Sequence, residues 1–330
     1  MKLPRRRILQ LAAGAVALPA VSRGAWAQTY PARPITLVVP FAAGGPTDTI
    51  ARIMGERMRA SLGQTIIIEN TTGAAGSIGV GRVARAEPDG YTVGIGHWST
   101  HVVNGAIYQL PYDVLNDFEP ISLVAANAQL AVVRKSFPAN NLKELTEWLK
   151  ANPDKASQGT AGAGSASHVS GVYFQKETGT RFQFVPYRGG GPANQDLVGG
   201  QVDLRIGAEA SQMLPHIRAG RTKGYAVLSP RRWPALPDLQ TADEAGVSGV
   251  HISVWTGLWA PKGTPKDIVA KLNAAVAQTF ADPAARQRIT DVGFEIPAAD
   301  QQTPEALAAF HKAETGKWWP IIKAANIKAE

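Results

Sequence analysis

The chain has 330 residues, 45% of them apolar and 18% charged, which is enough to bury a substantial core in two domains and too apolar for global disorder. Its formal charge of +8 is concentrated at the start: residues 1–27 carry Lys2, Arg5, Arg6, Arg7 and Arg23 and no acid, leaving 29 basic against 26 acidic side chains, or +3. That balance is no nucleic-acid footprint, and the lack of cysteine excludes disulfides, thiolate nucleophiles and thiolate metal sites.

The first 27 residues read as an export signal. Arg5-Arg6-Arg7-Ile8-Leu9-Gln10 precedes the apolar run Leu11 to Ala20, and Ala25-Trp26-Ala27 has the small-x-small pattern of a cleavage site. An exported mature protein beginning at Gln28 is the expectation. The basic pair is twin-arginine-like, and a general secretory signal fits as well. No later stretch reaches about 18 consecutive apolar residues, the length of a membrane span.

Ile35 to Val39 is a β-prone run that enters Val39-Pro40-Phe41-Ala42-Ala43-Gly44-Gly45-Pro46. This stretch returns once, as Val185-Pro186-Tyr187-Arg188-Gly189-Gly190-Gly191-Pro192, after the run Phe182 to Val185. In each copy the second glycine is expected to cap a helix whose first residue is the proline. Such a junction offers unpaired N–H groups and the positive end of a helix dipole, so both turns look suited to an anion, although Gly-Gly-Pro is also ordinary turn chemistry between a strand and a helix.

Ile50, Ile53, Met54, Met58 and Leu62 keep helical spacing until Gly63, with Asp48 in the first turn. Ile66-Ile67-Ile68 is expected to be a short buried strand, and Gly73 to Gly79 another glycine turn opening a helix. Tyr91 to Gly96 is a further strand, ending in His97-Trp98-Ser99-Thr100-His101. Leu123 to Val133 reads as an apolar crossing segment. Beyond it come a helix over 142–150, a small-residue turn from Gly159 to His168 with its helix, and strands at Val202 to Ile206 and Tyr225 to Leu228. Val250 to Ala260, with Trp255 and Trp259, crosses back; Thr264-Pro265 and Thr303-Pro304-Glu305 then start two capped helices. Alternating strands and helices predict an α/β fold of mainly parallel sheets. The expected lobes are 28–128 plus 251–330, and 129–250.

Several motifs in order, Tyr30-Pro31-x-Arg33-Pro34-Ile35, Val38 to Asp48, Glu87-Pro88-Asp89-Gly90-Tyr91-Thr92, Leu110-Pro111-Tyr112-Asp113, Asp117-Phe118, Val185 to Gly190, Leu197-x-Gly199-Gly200-Gln201-Val202-Asp203, Pro215-His216-Ile217-x-Ala219-Gly220 and Leu236-Pro237-Asp238, span nearly the whole mature chain. Together they resemble the Bug proteins, periplasmic substrate-binding subunits associated with tripartite tricarboxylate transporters. The resemblance implies a two-lobed Venus-flytrap fold, each lobe a mainly parallel sheet flanked by helices, with two hinge crossings and no cofactor. It implies capture of a small carboxylate by Gly-rich loops, through Phe41, Ala43, Gly44 and Thr47 on one side and Ala161, Gly164, Ser165, Tyr187 and Gly189 on the other. The family often has an acid shortly after Gly-Gly-Gln-Val-Asp; here that run is Arg205-Ile206-Gly207, so the acid is expected to be missing and an amino-acid ligand is not expected.

Arg205 near a strand end could grip a carboxylate by two hydrogen bonds, form a structural ion pair with Asp203 or another acid, or be a snorkelling side chain; Arg188 in the second glycine turn is equally placed for solvent. Trp98 could stack on an aromatic or long diacid or pack the hinge, while Ser99 and Thr100 can donate hydroxyl hydrogen bonds. His97 and His101 lie four apart with no further ligand pattern, so no metal site is read, and His168 reads as first-turn helix chemistry. The function expected is capture of a di- or tricarboxylate, an aromatic one included, by a monomer that delivers it to membrane transporter subunits. The alternatives are the same capture fold serving a sensor kinase, and an exported hydrolase using Ser165 or Ser77. Neither serine lies in Gly-x-Ser-x-Gly, and no glycine turn carries a nucleotide-binding fingerprint.

Overall fold

The computed structural model describes residues 30–327. The export signal read over 1–27 lies outside them. From β1 (Ile35–Val39) the chain turns into α1 (Pro46–Leu62), whose N-cap is Gly45 and whose first residue is Pro46. Ile50, Ile53, Met54, Met58 and Leu62 are buried along one stripe, and Gly63, in the left-handed conformation, closes the helix by donating its N–H to the Arg59 carbonyl. Among the described residues β2 (Ile66–Asn70) pairs only with β1, in parallel, so it is an edge strand with Ile67 48% exposed rather than the buried strand its three isoleucines suggest. α2 (Ser77–Ala84) leads to β3 (Thr92–His97), and β3 runs directly into a π-helical turn, Ser99–Val103, and α3 (Asn104–Ile107).

The crossing segment is one long strand, β4 (Phe118–Arg134). It is followed by α4 (Leu142–Ala151), β5 (Ser157–Thr160), α5 (Ala166–Thr178), β6 (Gln183–Pro186), α6 (Gly190–Gly199), β7 (Leu204–Glu209), α7 (Ala210–Arg218) and β8 (Thr222–Val227). The return strand is β9 (Ser253–Pro261), followed by α8 (Lys266–Ala281), α9 (Pro283–Asp291), β10 (Phe294–Glu295) and α10 (Pro304–Ala324). Thr303 caps α10 with its hydroxyl, as its sequence predicts, whereas the N-cap of α8 is Pro265. The strands run β2-β1-β3-β9-β4-β7-β5-β6, with β8 and β10 also on β4.

β4 changes partners part-way along. Phe118 to Ala128 pair antiparallel with β9, and Gln129 to Arg134 pair with β7 on one edge and β8 on the other. The parallel pairs β1–β2, β1–β3, β5–β6 and β5–β7 therefore lie on opposite sides of that change. One apolar cluster gathers Ile35, Ile50, Met54, Leu272 and Phe280, and another Leu130, Leu197, Met213 and Trp233. A third, holding Trp98, Trp255, Trp259, Trp318, Phe174 and Ile206, draws on both. Those four indoles are almost wholly buried, and each large apolar side chain so buried contributes on the order of 2–3 kcal/mol.

Candidate functional site

The two Gly-Gly-Pro copies fold differently. In the first, Gly45 is the N-cap, and the Asp48 carboxylate accepts hydrogen bonds from the Gly44 N–H at 2.8 Å, Arg52 Nε at 2.8 Å and Asn70 Nδ2 at 3.0 Å. Burial pushes the Asp48 pKa up, but these donors outweigh it and hold it below the usual carboxylate range. One N–H expected to meet a ligand anion is thus already bonded to the helix's own acid. In the second copy the helix starts earlier: Gly189, with φ of 115°, is the N-cap and Gly190 the first residue of α6, so Pro192 is its third residue rather than its first. Proline at that position breaks no helical bond, because the first four N–H groups have no partner within the helix.

Residues from both sides of the partner change in β4 meet around a cavity of about 340 Å³. Phe41, His97 and Ser99 line it from one side, and Ala161, Gly164, Ser165, Gly189 and Arg205 from the other. A neighbouring cavity of about 530 Å³ is lined by Ala43, Gly44 and Thr47, and shares Phe41, His97, Gly189 and Glu209 with the first. Eleven of the fourteen residues read from the sequence line these two spaces. Trp98, Thr100 and Tyr187 line neither.

Each of those three has a structural task. Trp98 is 0% exposed and packs edge-on against Trp318 with ring centroids 5.1 Å apart, so of its two sequence readings the packing one describes its place. The Thr100 hydroxyl closes the end of β3, accepting the His97 N–H and donating to the His97 carbonyl, both at 3.0 Å. Tyr187 donates its hydroxyl to Asp196 at 2.6 Å and sets its ring against Gly159; burial first, then Asp196, pushes its pKa up to about 12.

His97 stands in the wall as a neutral donor. The Ser99 N–H donates to its Nδ1 at 3.2 Å, so the proton of the neutral ring sits on Nε2, and burial lowers its pKa to about 4. His101 points elsewhere, stacked on Trp259 at 3.9 Å, and among the described residues no three His, Asp or Glu side chains gather to hold a metal. The Ser165 hydroxyl accepts the backbone N–H of His168 as the N-cap of α5 and lies 3.2 Å from the Ser167 hydroxyl, an arrangement that serves the helix end.

Along β7 the side chains alternate up to Ile206, and the extra residue at Gly207 then inverts the faces. Leu204, Ile206 and Ala208 are buried in the core, and Arg205, Gly207 and Glu209 line the cavity. Arg205 is 3% exposed; its Nη1 donates to the Gly190 carbonyl at 3.0 Å and to Asn194 Oδ1, and its Nε has no partner among the described residues. Burial lowers its pKa to about 10 against the pull of nearby Glu209. It does not pair with Asp203, which binds Arg134 at 2.7 Å. Glu209, whose pKa burial raises, accepts Gln212 Nε2 at 3.0 Å, and Gln212 Oε1 accepts Asn194 Nδ2 at 2.8 Å.

The run Arg205-Ile206-Gly207 carries no acid, but Glu209, two residues beyond it, lines the cavity. Gly207 reads as a strand end, but it is a bulge: Leu130 faces Ala208 and Ala131 faces Ile206, so β7 carries one extra residue and continues to Glu209. No sequence periodicity marks Glu209, because the bulge inverts the faces and puts Ile206 and Ala208 in different apolar clusters. Asn104, Tyr108 and Gln212 also line the cavity and were missed. The Asn104 amide donates to the Ala75 carbonyl and the Ser77 hydroxyl, contacts with no sequence signature.

The family described as "Tripartite tricarboxylate transporter family receptor" matches residues 50–327. The chain belongs to that family. Among solved structures, MatC (Rpa3494) from Rhodopseudomonas palustris, with bound malate, is 40% identical with a TM-score of 0.78, covering 89% of this chain and 100% of that one. R. palustris Rpa4515 with adipate is 34% identical with a TM-score of 0.81, covering 91% and 100%. The periplasmic binding protein BugD is 42% identical with a TM-score of 0.78, covering 91% and 100%. The fold is accordingly that of the periplasmic solute-binding proteins, α/β and two-lobed, and the family is one of solute-binding receptors rather than enzymes.

Proposed function

We propose that this receptor captures a small carboxylate in the cavity shared by the two glycine turns and delivers it to the membrane subunits of a tripartite tricarboxylate transporter in the periplasm. The observation that carries the reading is Arg205, a buried guanidinium in the cavity wall that, among the described residues, has no carboxylate bonded to it and no partner for its Nε. A buried charge left this way is costly, and an incoming carboxylate would relieve it through charge-assisted hydrogen bonds. The neutral His97 Nε2–H adds a donor across the cavity, with the Ser99 hydroxyl and N–H holding that tautomer through Nδ1, and none of this needs a cofactor. The malate and adipate in the two R. palustris relatives support a carboxylate as cargo.

The lobes in this reading are 28–128 plus 251–330, and 129–250, with closure hinged where β4 exchanges β9 for β7 and β8. Thermal unfolding of the mature protein, stripped of carried-over ligand by unfolding and refolding, tests it against mono-, di- and tricarboxylates. A ligand at about 1,000 times its Kd adds roughly 4 kcal/mol, a shift of several degrees. No shift with any carboxylate would overturn the reading.

A further inference from the structure

Arg205 and Glu209 both line the cavity from β7, yet no ion pair joins them. Two amides stand between: Arg205 bonds Asn194, Asn194 bonds Gln212, and Gln212 bonds Glu209. The relay holds the opposite charges apart and leaves each with unused hydrogen-bonding capacity. Arg205 has its unpartnered Nε, and Glu209 receives a single hydrogen bond among the described residues although a carboxylate can accept about four. Both line the same cavity.

A ligand carboxylate drawn to Arg205 also brings negative charge towards Glu209. An unsubstituted diacid offers nothing to offset that repulsion. A ligand with a hydroxyl or ammonium group beside its carboxylate turns the same approach into a hydrogen bond, stronger for the ammonium because both partners are charged. Resting on the carboxylate-capture reading, we propose that Glu209 is a specificity-determining residue that selects carboxylates bearing a hydrogen-bond donor, hydroxyl or ammonium, next to the group held by Arg205. Gln212 fixes the carboxylate's orientation, and the bulge at Gly207 carries the strand far enough to bring it into the cavity.

Titration calorimetry of the refolded protein with succinate, malate and aspartate tests this, because the three share a frame and differ by a hydrogen, a hydroxyl or an ammonium on one carbon. Wild type is expected to bind malate, aspartate or both about tenfold or more tightly than succinate, the discrimination expected of a site built to bond that group. Glu209→Gln, which keeps shape without charge, should shrink any aspartate preference to within about threefold, and Glu209→Leu, which removes the acceptor, should do the same for malate. Equal affinity of wild type for all three, binding of unsubstituted diacids alone, or preferences unchanged in both variants would overturn the role of Glu209. Failure of wild type to bind any mono-, di- or tricarboxylate would contradict the capture reading instead.

Discussion

Arg205 and Glu209 lie four residues apart on β7 and both line the cavity, with the bulged Gly207 between them and no direct bond joining them. The bulge interrupts the strand alternation between them, both still reach the cavity, and the Asn194–Gln212 amides hold them apart. A direct ion pair would have neutralised both groups internally. Held apart, they keep a polarised wall opposite Phe41, His97 and Ser99.

Gly207 should be the least replaceable residue of β7. Its φ is 75°, and a Cβ there would meet the Ser170 side chain at 2.4 Å. Gly207→Ala is expected to cost about 1–3 kcal/mol for the left-handed backbone alone and more for the clash. Gly44→Ala shares the backbone problem, with φ of 80°, but has open space around the new carbon. Urea midpoints should therefore fall further for Gly207→Ala.

Trp98→Ala separates packing from binding. Removing a wholly buried indole that packs on Trp318 is expected to cost about 3–5 kcal/mol of stability. The affinity of whatever carboxylate wild type binds, measured at low temperature where the variant is folded, should change far less than it does when Arg205 is removed. Comparing melting curves with titrations checks both halves.

Much of the fold is legible in the sequence because local signals agree. Pro46 follows a capping glycine and precedes a buried stripe that stops at Gly63, and Thr303-Pro304 does the same for α10. What fails depends on position in three dimensions. Three consecutive isoleucines in β2 do not reveal that the strand sits at an edge, with Ile67 exposed. Trp98 falls between cavity-lining His97 and Ser99, yet the π-helical turn that begins there sends its ring into the core. Glycine 207 has the same letters as a strand end, and only the pairing with β4 makes it a bulge.

Asp48 should matter more for the turn than for the helix dipole. Asp48→Ala removes the acceptor of Gly44, Arg52 and Asn70 and is expected to lower stability by about 2–3 kcal/mol, as for hydrogen bonds to a buried charge. Its folded pKa is lowered, so its contribution is present above the unfolded value near 4 and is lost as pH falls through the folded value. The stability gap between wild type and Asp48→Ala, followed by urea unfolding, should therefore narrow in acid.

His97 gives the same sign over a different window. Its folded pKa is about 4 against 6.5 unfolded, so the unfolded chain takes up the proton first, and stability falls as pH drops from about 6.5 towards 4. Replacing it with glutamine removes that loss. The advantage of wild type over His97→Gln should shrink by up to about 2 kcal/mol between pH 7.5 and 5, measured as the difference of urea unfolding free energies.

The central claim is that a carboxylate is held in the cavity by Arg205. Titration calorimetry of refolded wild type and Arg205→Ala with the carboxylate that most raises the wild-type melting temperature tests it most directly. The account predicts saturable binding of one ligand per chain, and a roughly 10- to 100-fold loss of affinity in the variant, the range expected for a charge-assisted hydrogen bond. Unchanged affinity in a folded Arg205→Ala protein would contradict it.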